Sequence, residues 1–286
     1  MIYISSSCIK DKNILKVLKI LKNKNIKNIE LSGGTENFYN LEKITIDYLK
    51  ENDIKARIHN YFPPPKEHFV INIASLDNKI FTKSINHCIN AITFSKKINS
   101  KIFSVHAGFL IDPKPKELGI KEGIKKEYKF FDYDKAVIQM QKGIKILEEE
   151  AGSDFKIYIE NNVINNRTLS KFGKNPFLLT DKKSYNSLRK EFNFNLLLDL
   201  AHLKVSSKTL GYNFNDEANY LFDTTDYLHV SGNDGVEDSN NPIFLDKEVS
   251  KILSNNKIKD KTITLEVYDN LENIIKDYHF LKSLIK

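Results

Sequence analysis

Short apolar runs recur along the chain, and each is followed by a longer stretch in which apolar positions return every three or four residues. The runs fall at Ile2 to Ser5, Asn28 to Leu31, Lys55 to Ile58, Lys101 to Val105, Phe155 to Ile159, Phe194 to Leu198, Asp226 to Leu228 and Thr262 to Leu265, and their length and β-branched content predict strands. Between them, stretches such as Ile14, Leu15, Val17, Leu18 and Leu21 line one face while lysines fill the other, which predicts amphipathic outer helices. Asp269, followed three residues later by Glu272, predicts the start of a last helix running towards Leu284. Each gap holds one helix and two loops, so the pattern is β/α repetition, eight units long. Eight units predict an α/β fold of one kind, a single (β/α)8 TIM barrel, before the alternative of a doubly wound sheet. No Gly/Ser-rich linker interrupts the series, so one domain is expected over residues 1–286.

Composition narrows the class. At 286 residues and 41% hydrophobic the chain can bury a large core, and disorder is excluded. No apolar run approaches the roughly 18 residues of a membrane span, and Met1 to Cys8 lacks the basic start and small-residue cleavage site of a signal peptide. A soluble, cytoplasmic protein without a membrane partner is expected. Cys8 and Cys88 cannot form a Cys-ligated zinc site or a Cys-x-x-Cys dithiol. The formal charge of +7 rests on lysines spread along the chain, with Arg57, Arg167 and Arg189 the only arginines. Phosphate and base readers favour Arg forks, so a nucleic-acid partner is disfavoured.

The chemistry gathers where a barrel keeps it, at the C-terminal ends of the strands. His59 follows the third run, His106 the fourth, Glu160 the fifth, Asp199 the sixth, His229 the seventh and Glu266 the eighth. A lone strand-end histidine is as a rule a hydrogen-bonded structural residue. Six His, Asp or Glu at eight strand ends, in a chain with 7 His and 37 acidic residues, form a set that points to metal. Three imidazoles and three carboxylates suit a divalent Zn, Mn, Fe or Co ion rather than Ca or Mg, and Glu160, central in chain order, can bridge two ions. His202, three residues past Asp199, is placed to reach substrate or a second ion, with a buried structural role as its alternative. His68, His87 and His279 read as ordinary, and Phe69 to Ile73 as wall packing. Asp112 to Asp134, irregular and carrying Pro113, Pro115, Gly119, Gly123, Tyr128, Phe130, Phe131 and Tyr133, follows the fourth strand on the same face. It is a candidate cover for substrate, with an idle surface loop as the alternative.

At these residues the sequence resembles the xylose isomerase-like TIM-barrel superfamily, which includes sugar isomerases and epimerases and the abasic-site nuclease endonuclease IV. The motifs are Val105-His106-Ala107-Gly108, Ile159-Glu160-Asn161-Asn162, Asp199-x-x-His202, His229-Val-Ser-Gly-Asn-Asp-Gly235 and Leu265-Glu266-Val267, in an order and spacing that span nearly the whole chain. The resemblance implies that Glu160, Asp199, His229 and Glu266 share a divalent metal, and that His59 and His106 match the positions of a second metal in the nucleases or face substrate in the epimerases. Two departures stand out. The nuclease pattern has an Asp-x-His pair after strand seven, where this chain has Asn240 in place of the histidine. Xylose isomerase has a lysine two residues past its strand-five glutamate, where this chain has Asn162. The segment His59-Asn60-Tyr61-Phe62-Pro63-Pro64-Pro65 is similar to one in sugar phosphate isomerase/epimerase members.

The resemblance therefore implies a divalent-metal-dependent sugar or sugar-phosphate isomerase or epimerase acting by proton transfer through an enediolate. Glu160 and Glu266 would be the acid and base, and His59, Asn60, His106 and His202 substrate-binding. The alternative is an endonuclease IV-like phosphodiesterase acting on abasic DNA; a metal-binding barrel without catalysis is a third reading.

Overall fold

The computed structural model describes residues 1–117 and 123–285. Its strands are β1 (Ile2–Ser5), β2 (Asn28–Leu31), β3 (Lys55–His59), β4 (Ile102–His106), β5 (Lys156–Glu160), β6 (Asn195–Asp199), β7 (Tyr227–Val230) and β8 (Thr262–Leu265). They pair in parallel in chain order, and β8 returns to β1, so the sheet is a closed (β/α)8 barrel. The helices are α1 (Ile14–Asn23), α2 (Leu41–Glu51), α3 (Asn78–Lys97), α4 (Tyr133–Ala151), α5 (Asn166–Phe172), α6 (Lys182–Glu191), α7 (Leu200–Leu210), α8 (Phe214–Phe222), α9 (Lys247–Asn255) and α10 (Leu271–Leu284). None among the described residues is long and apolar enough to cross a membrane.

The amphipathic pattern is realised in α1, where Ile14, Val17, Leu18 and Leu21 are buried against the barrel and Asn13 caps the N-terminus by accepting from Leu15 N. At the other end of the chain the helix starts one residue later than expected. Asn270, not Asp269, caps α10 by accepting from Asn273 N, while Asp269 accepts from Asn270 N and from the Asn273 side chain. Cys8 and Cys88 are free thiols buried in the core.

Four ligand candidates that the hydrophobic pattern placed just after strands, His59, His106, Glu160 and Asp199, are instead the last strand residues, and His229 lies inside β7. The ladder continues through them because their backbones still pair: His106 stands opposite Glu160, and Asp199 opposite His229. Register thus sets these side chains shoulder to shoulder on the inner face of the mouth. Tyr158, Leu197 and Tyr227 on the same strands pack together, and the Arg57 guanidinium lies 3.8 Å from the Tyr3 ring centre and 4.8 Å from that of Tyr227.

The irregular segment after β4 ends sooner than its composition suggests, because Tyr133 already belongs to α4, capped by Asp132. Gly119 lies outside the described residues. On its far side the segment rests on α5, with Phe130 against Phe172 and Lys171 Nζ donating to Ile124 O.

Candidate metal centre

Glu160 is the hub of the mouth. Its side chain is fully buried, and four imidazoles crowd its two oxygens: His59 Nε2 at 3.1 Å and His106 Nδ1 at 3.4 Å from Oε2, and His229 Nδ1 at 3.3 Å and His202 Nδ1 at 3.6 Å from Oε1. Glu266 Oε2 approaches the same His229 nitrogen at 3.3 Å. One ligand atom from each of Glu160, Asp199, His229 and Glu266 falls within 4.8 Å of all the others, His59, His106 and Glu160 form a second such group, and Glu30, His59 and His229 a third. Glu160 belongs to the first two, so a carboxylate bridging two ions is geometrically open to it.

The donor set fits a divalent cation on its hydrogen bonding. Both Glu160 oxygens, Asp199 Oδ2, both His229 nitrogens and His106 Nδ1 are buried without a hydrogen-bond partner. Buried polar atoms are normally paired, and a cluster of unpaired acceptors facing one another is what a ligated ion would resolve. Asp199 shows how the sequence builds such a ligand. Its Oδ1 accepts from His202 N at 2.7 Å and caps α7, which accounts for the Asp-x-x-His spacing as cap and third helical residue. Its Oδ2 is left for the site.

The charges agree. Burial pushes Glu160 up to about 7, against the pull of His229, and Asp199 up to about 6, against His202. Burial alone would lower His229, but Glu30, Glu266 and Glu160 around it hold it well above its usual range. The same contest at His202 is won by Asp199 and Asp238. Glu266, although buried, is held far below the usual carboxylate range by His229 and His59. Burial and the neighbouring His229 lower His59 to about 3, and burial with His59 and His202 lowers His106. Two imidazoles drawn to protonate by the carboxylates around them mark a place that favours positive charge.

Above this layer lies a pocket of about 450 Å³ whose polar lining includes Asn60, His106, Asn162, His202 and Asp238, and whose walls include Phe69, Phe109 and Phe177. His106 and His202 therefore face both the ligand cluster and the pocket. Phe69 to Ile71, read from the sequence as wall packing, and His68, read as ordinary, also line it. His87, likewise read as ordinary, supports it: its Nε2 stands 3.2 Å from Asn60 O, holding a residue in the left-handed region at φ 44°.

Four contributors escaped the strand-end reading. Glu30, the third residue of β2, is fully buried with Oε1 2.8 Å from His229 Nε2. Asp238 places Oδ2 3.2 Å from His202 Nε2. Asn161 binds Asp199 N and O through its side chain, and its backbone carbonyl meets His202 Nδ1 at 2.8 Å. Asn72 ties the loops after β3 and β4 together by donating to Phe109 O, Ile111 O and Asp112 Oδ1. Of the two departures from the family motifs, Asn162 donates to Ala107 O and Leu178 O, and Asn240 accepts from Ser231 Oγ. Both side chains are engaged in bracing loops.

No family model and no curated protein matches the chain. Solved structures do. A D-tagatose 3-epimerase-like protein matches at 16% identity and a TM-score of 0.69, over 99% of this chain and 96% of that one. The 3-keto-D-glucoside 4-epimerase of E. coli matches at 11% identity and 0.63, over 99% and 98%. Endonuclease IV from Thermus thermophilus matches at 12% identity and 0.61, over 99% and 98%. At these identities the likeness is one of fold: a closed (β/α)8 barrel shared over nearly the whole chain.

Proposed function

We propose that the protein is a divalent-metal-dependent sugar or sugar-phosphate isomerase or epimerase. The observation that carries this reading is the convergence of Glu160, Asp199, His229 and Glu266, the first three with buried ligand atoms that lack a hydrogen-bond partner, beneath a pocket with aromatic walls. The sugar epimerases among the fold's solved relatives support it. Glu160, Asp199, His229 and Glu266 would hold the ion, with His59 and His106 available to a second. When bound, a divalent Zn, Mn, Fe or Co ion supplies Lewis acidity towards a carbonyl and its neighbouring hydroxyl.

The chain's own residues do the rest. Glu160 and Glu266 each stand 3.3 Å from His229 Nδ1, and in this reading they face opposite sides of the reacting carbon, one removing its proton and the other returning it through an enediolate. His106, His202 and Asn60 hold hydroxyl groups, and Asp238 orients His202 by its contact with Nε2. Phe69, Phe109 and Phe177 pack against the C–H faces of the sugar and exclude water.

The test is solvent exchange. Metal-loaded protein incubated in D₂O with a panel of ketohexoses and their phosphates should place deuterium at one carbon of its substrate, and Glu266→Gln should suppress that exchange without unfolding the protein. The nuclease reading draws on the His59, His106 and Glu160 group. Multiple-turnover incision of abasic DNA, abolished in Glu160→Gln, would establish it in place of sugar chemistry.

A further inference from the structure

We infer that Glu30 is a positioning residue for the metal centre, fixing the ring of His229 from below so that Nδ1 is presented as the ligand atom. This rests on the metal-centre reading above. Glu30 sits on β2, a strand that the ligand pattern skips, and points into the barrel interior under the mouth. Its Oε2 accepts from Thr264 Oγ1 at 2.9 Å and from the Tyr227 hydroxyl, groups on β8 and β7. Arg57, its register partner on β3, lies over the same Tyr227 ring. The carboxylate is thus anchored from two strands across the barrel, and its remaining oxygen stands 2.8 Å from His229 Nε2.

That contact decides which nitrogen is available. Nε2 stands 2.8 Å from Glu30 Oε1, and Nδ1 faces Glu160 Oε1 and Glu266 Oε2, each at 3.3 Å, so a ligand bond at Nδ1 would leave Nε2 as the N–H beside that carboxylate. An imidazole whose second nitrogen donates to a carboxylate has its tautomer and rotation set, and its ligating nitrogen is the more basic for it. Glu30 is fully buried and absent from the lining of the pocket, so it acts through His229 and not on substrate.

The test uses the full chain with Zn²⁺ as probe, its affinity read by competition with a chromophoric chelator. Glu30→Ala should weaken binding roughly 10- to 100-fold. Glu30→Gln, which keeps an acceptor beside Nε2, should recover most of that loss, and the visible spectrum of the Co²⁺-loaded protein should change in Glu30→Ala alone. A second readout is the imidazole N–H proton of His229 in the Zn²⁺-loaded protein. It should be slow to exchange and move upfield in Glu30→Gln as a charge-assisted bond becomes a neutral one. This holds the inference open to refutation even if Glu30→Ala fails to fold. Wild-type protein that does not bind Zn²⁺ would overturn the metal centre itself. Wild-type binding with Glu30→Ala within about twofold of it, or an N–H resonance unmoved in Glu30→Gln, would overturn the role of Glu30 alone.

Discussion

Two polar layers lie within a few ångströms of each other at the barrel mouth, and they treat hydrogen bonds in opposite ways. In the lower layer, Glu160, Asp199 and His229 are buried with ligand atoms unpaired. In the layer above, the asparagines are paired: Asn72 accepts from Ala74 N and Phe109 N while donating to three oxygens, and Asn161 bonds Asp199 N and O. A buried polar group left unpaired destabilises the fold, whereas a paired one fixes its neighbours. The difference separates residues kept for a ligand from residues that hold those residues in place.

Removing a lower-layer group should have the largest effect, and it should appear in metal binding. Asp199→Asn keeps a good helix cap and loses the charge, and His229→Ala loses the imidazole at the centre. Each should weaken Zn²⁺ binding more than about 100-fold, Asp199→Asn with apo stability near that of the wild type and His229→Ala with a loss, because it leaves a cavity beside the buried Glu30 and Glu160. Full metal content in both variants after dialysis would mean that these side chains do not form the site. The upper layer should respond in reverse. Asn72→Ala orphans carbonyls and amides of two loops, so unfolding stability should fall by about 3 kcal/mol or more, while Zn²⁺ affinity of the folded fraction changes little. A stable Asn72→Ala protein would show that the loops do not depend on this bridge.

Gly108 sharpens the same boundary sterically. It follows His106 by two residues where the loops after β3 and β4 touch, and a Cβ there would lie 2.2 Å from Ala74 Cβ and 2.9 Å from Ala74 N. Backbone cannot swing aside as a side-chain end can, so Gly108→Ala should destabilise by about 1–3 kcal/mol. A melting temperature unchanged from wild type would mean that the loops separate freely.

The two layers differ also in how readable they were. The lower layer stood out because strands have a period and an end: His59, His106, Glu160, Asp199, His229 and Glu266 recur at one place in each β/α unit, and the barrel topology makes equivalent places converge. Glu30 escaped that rule because the second apolar run reads through to Leu31, which hides it inside the strand, whereas the seventh reads only to Leu228 and leaves His229 at its end; only the closed barrel shows that β2 delivers Glu30 to His229 on β7. Asp238 sits on a loop with no periodicity to mark it. Asn72 was hidden inside an apolar run, since nothing in the order of residues reveals that its partners lie 37 and more positions away. Convergence of strand ends follows from topology alone, but the partner of a loop amide follows from how two loops meet.

The smallest effect concerns a buried carboxylate away from the mouth, paired like the upper layer yet charged like the lower. Asp277 on α10 accepts from Ile243 N at 2.7 Å and Phe244 N at 3.2 Å, and burial nonetheless raises it from 3.8 to about 6. The folded state therefore holds its proton more tightly than the unfolded state does. As pH rises from below 4 through 6, the unfolded chain releases that proton first, so the contribution of Asp277 to stability falls across this window and stays low above it. Asp277→Asn keeps one acceptor oxygen and removes the titration. The melting temperature of the wild type should fall relative to that of the variant between pH 4 and about 6.5, with the two differing most in pH dependence inside that window. Parallel pH profiles would show that hydrogen bonds from the two amides offset the burial completely, and that pairing alone is enough to keep a buried carboxylate at its ordinary value.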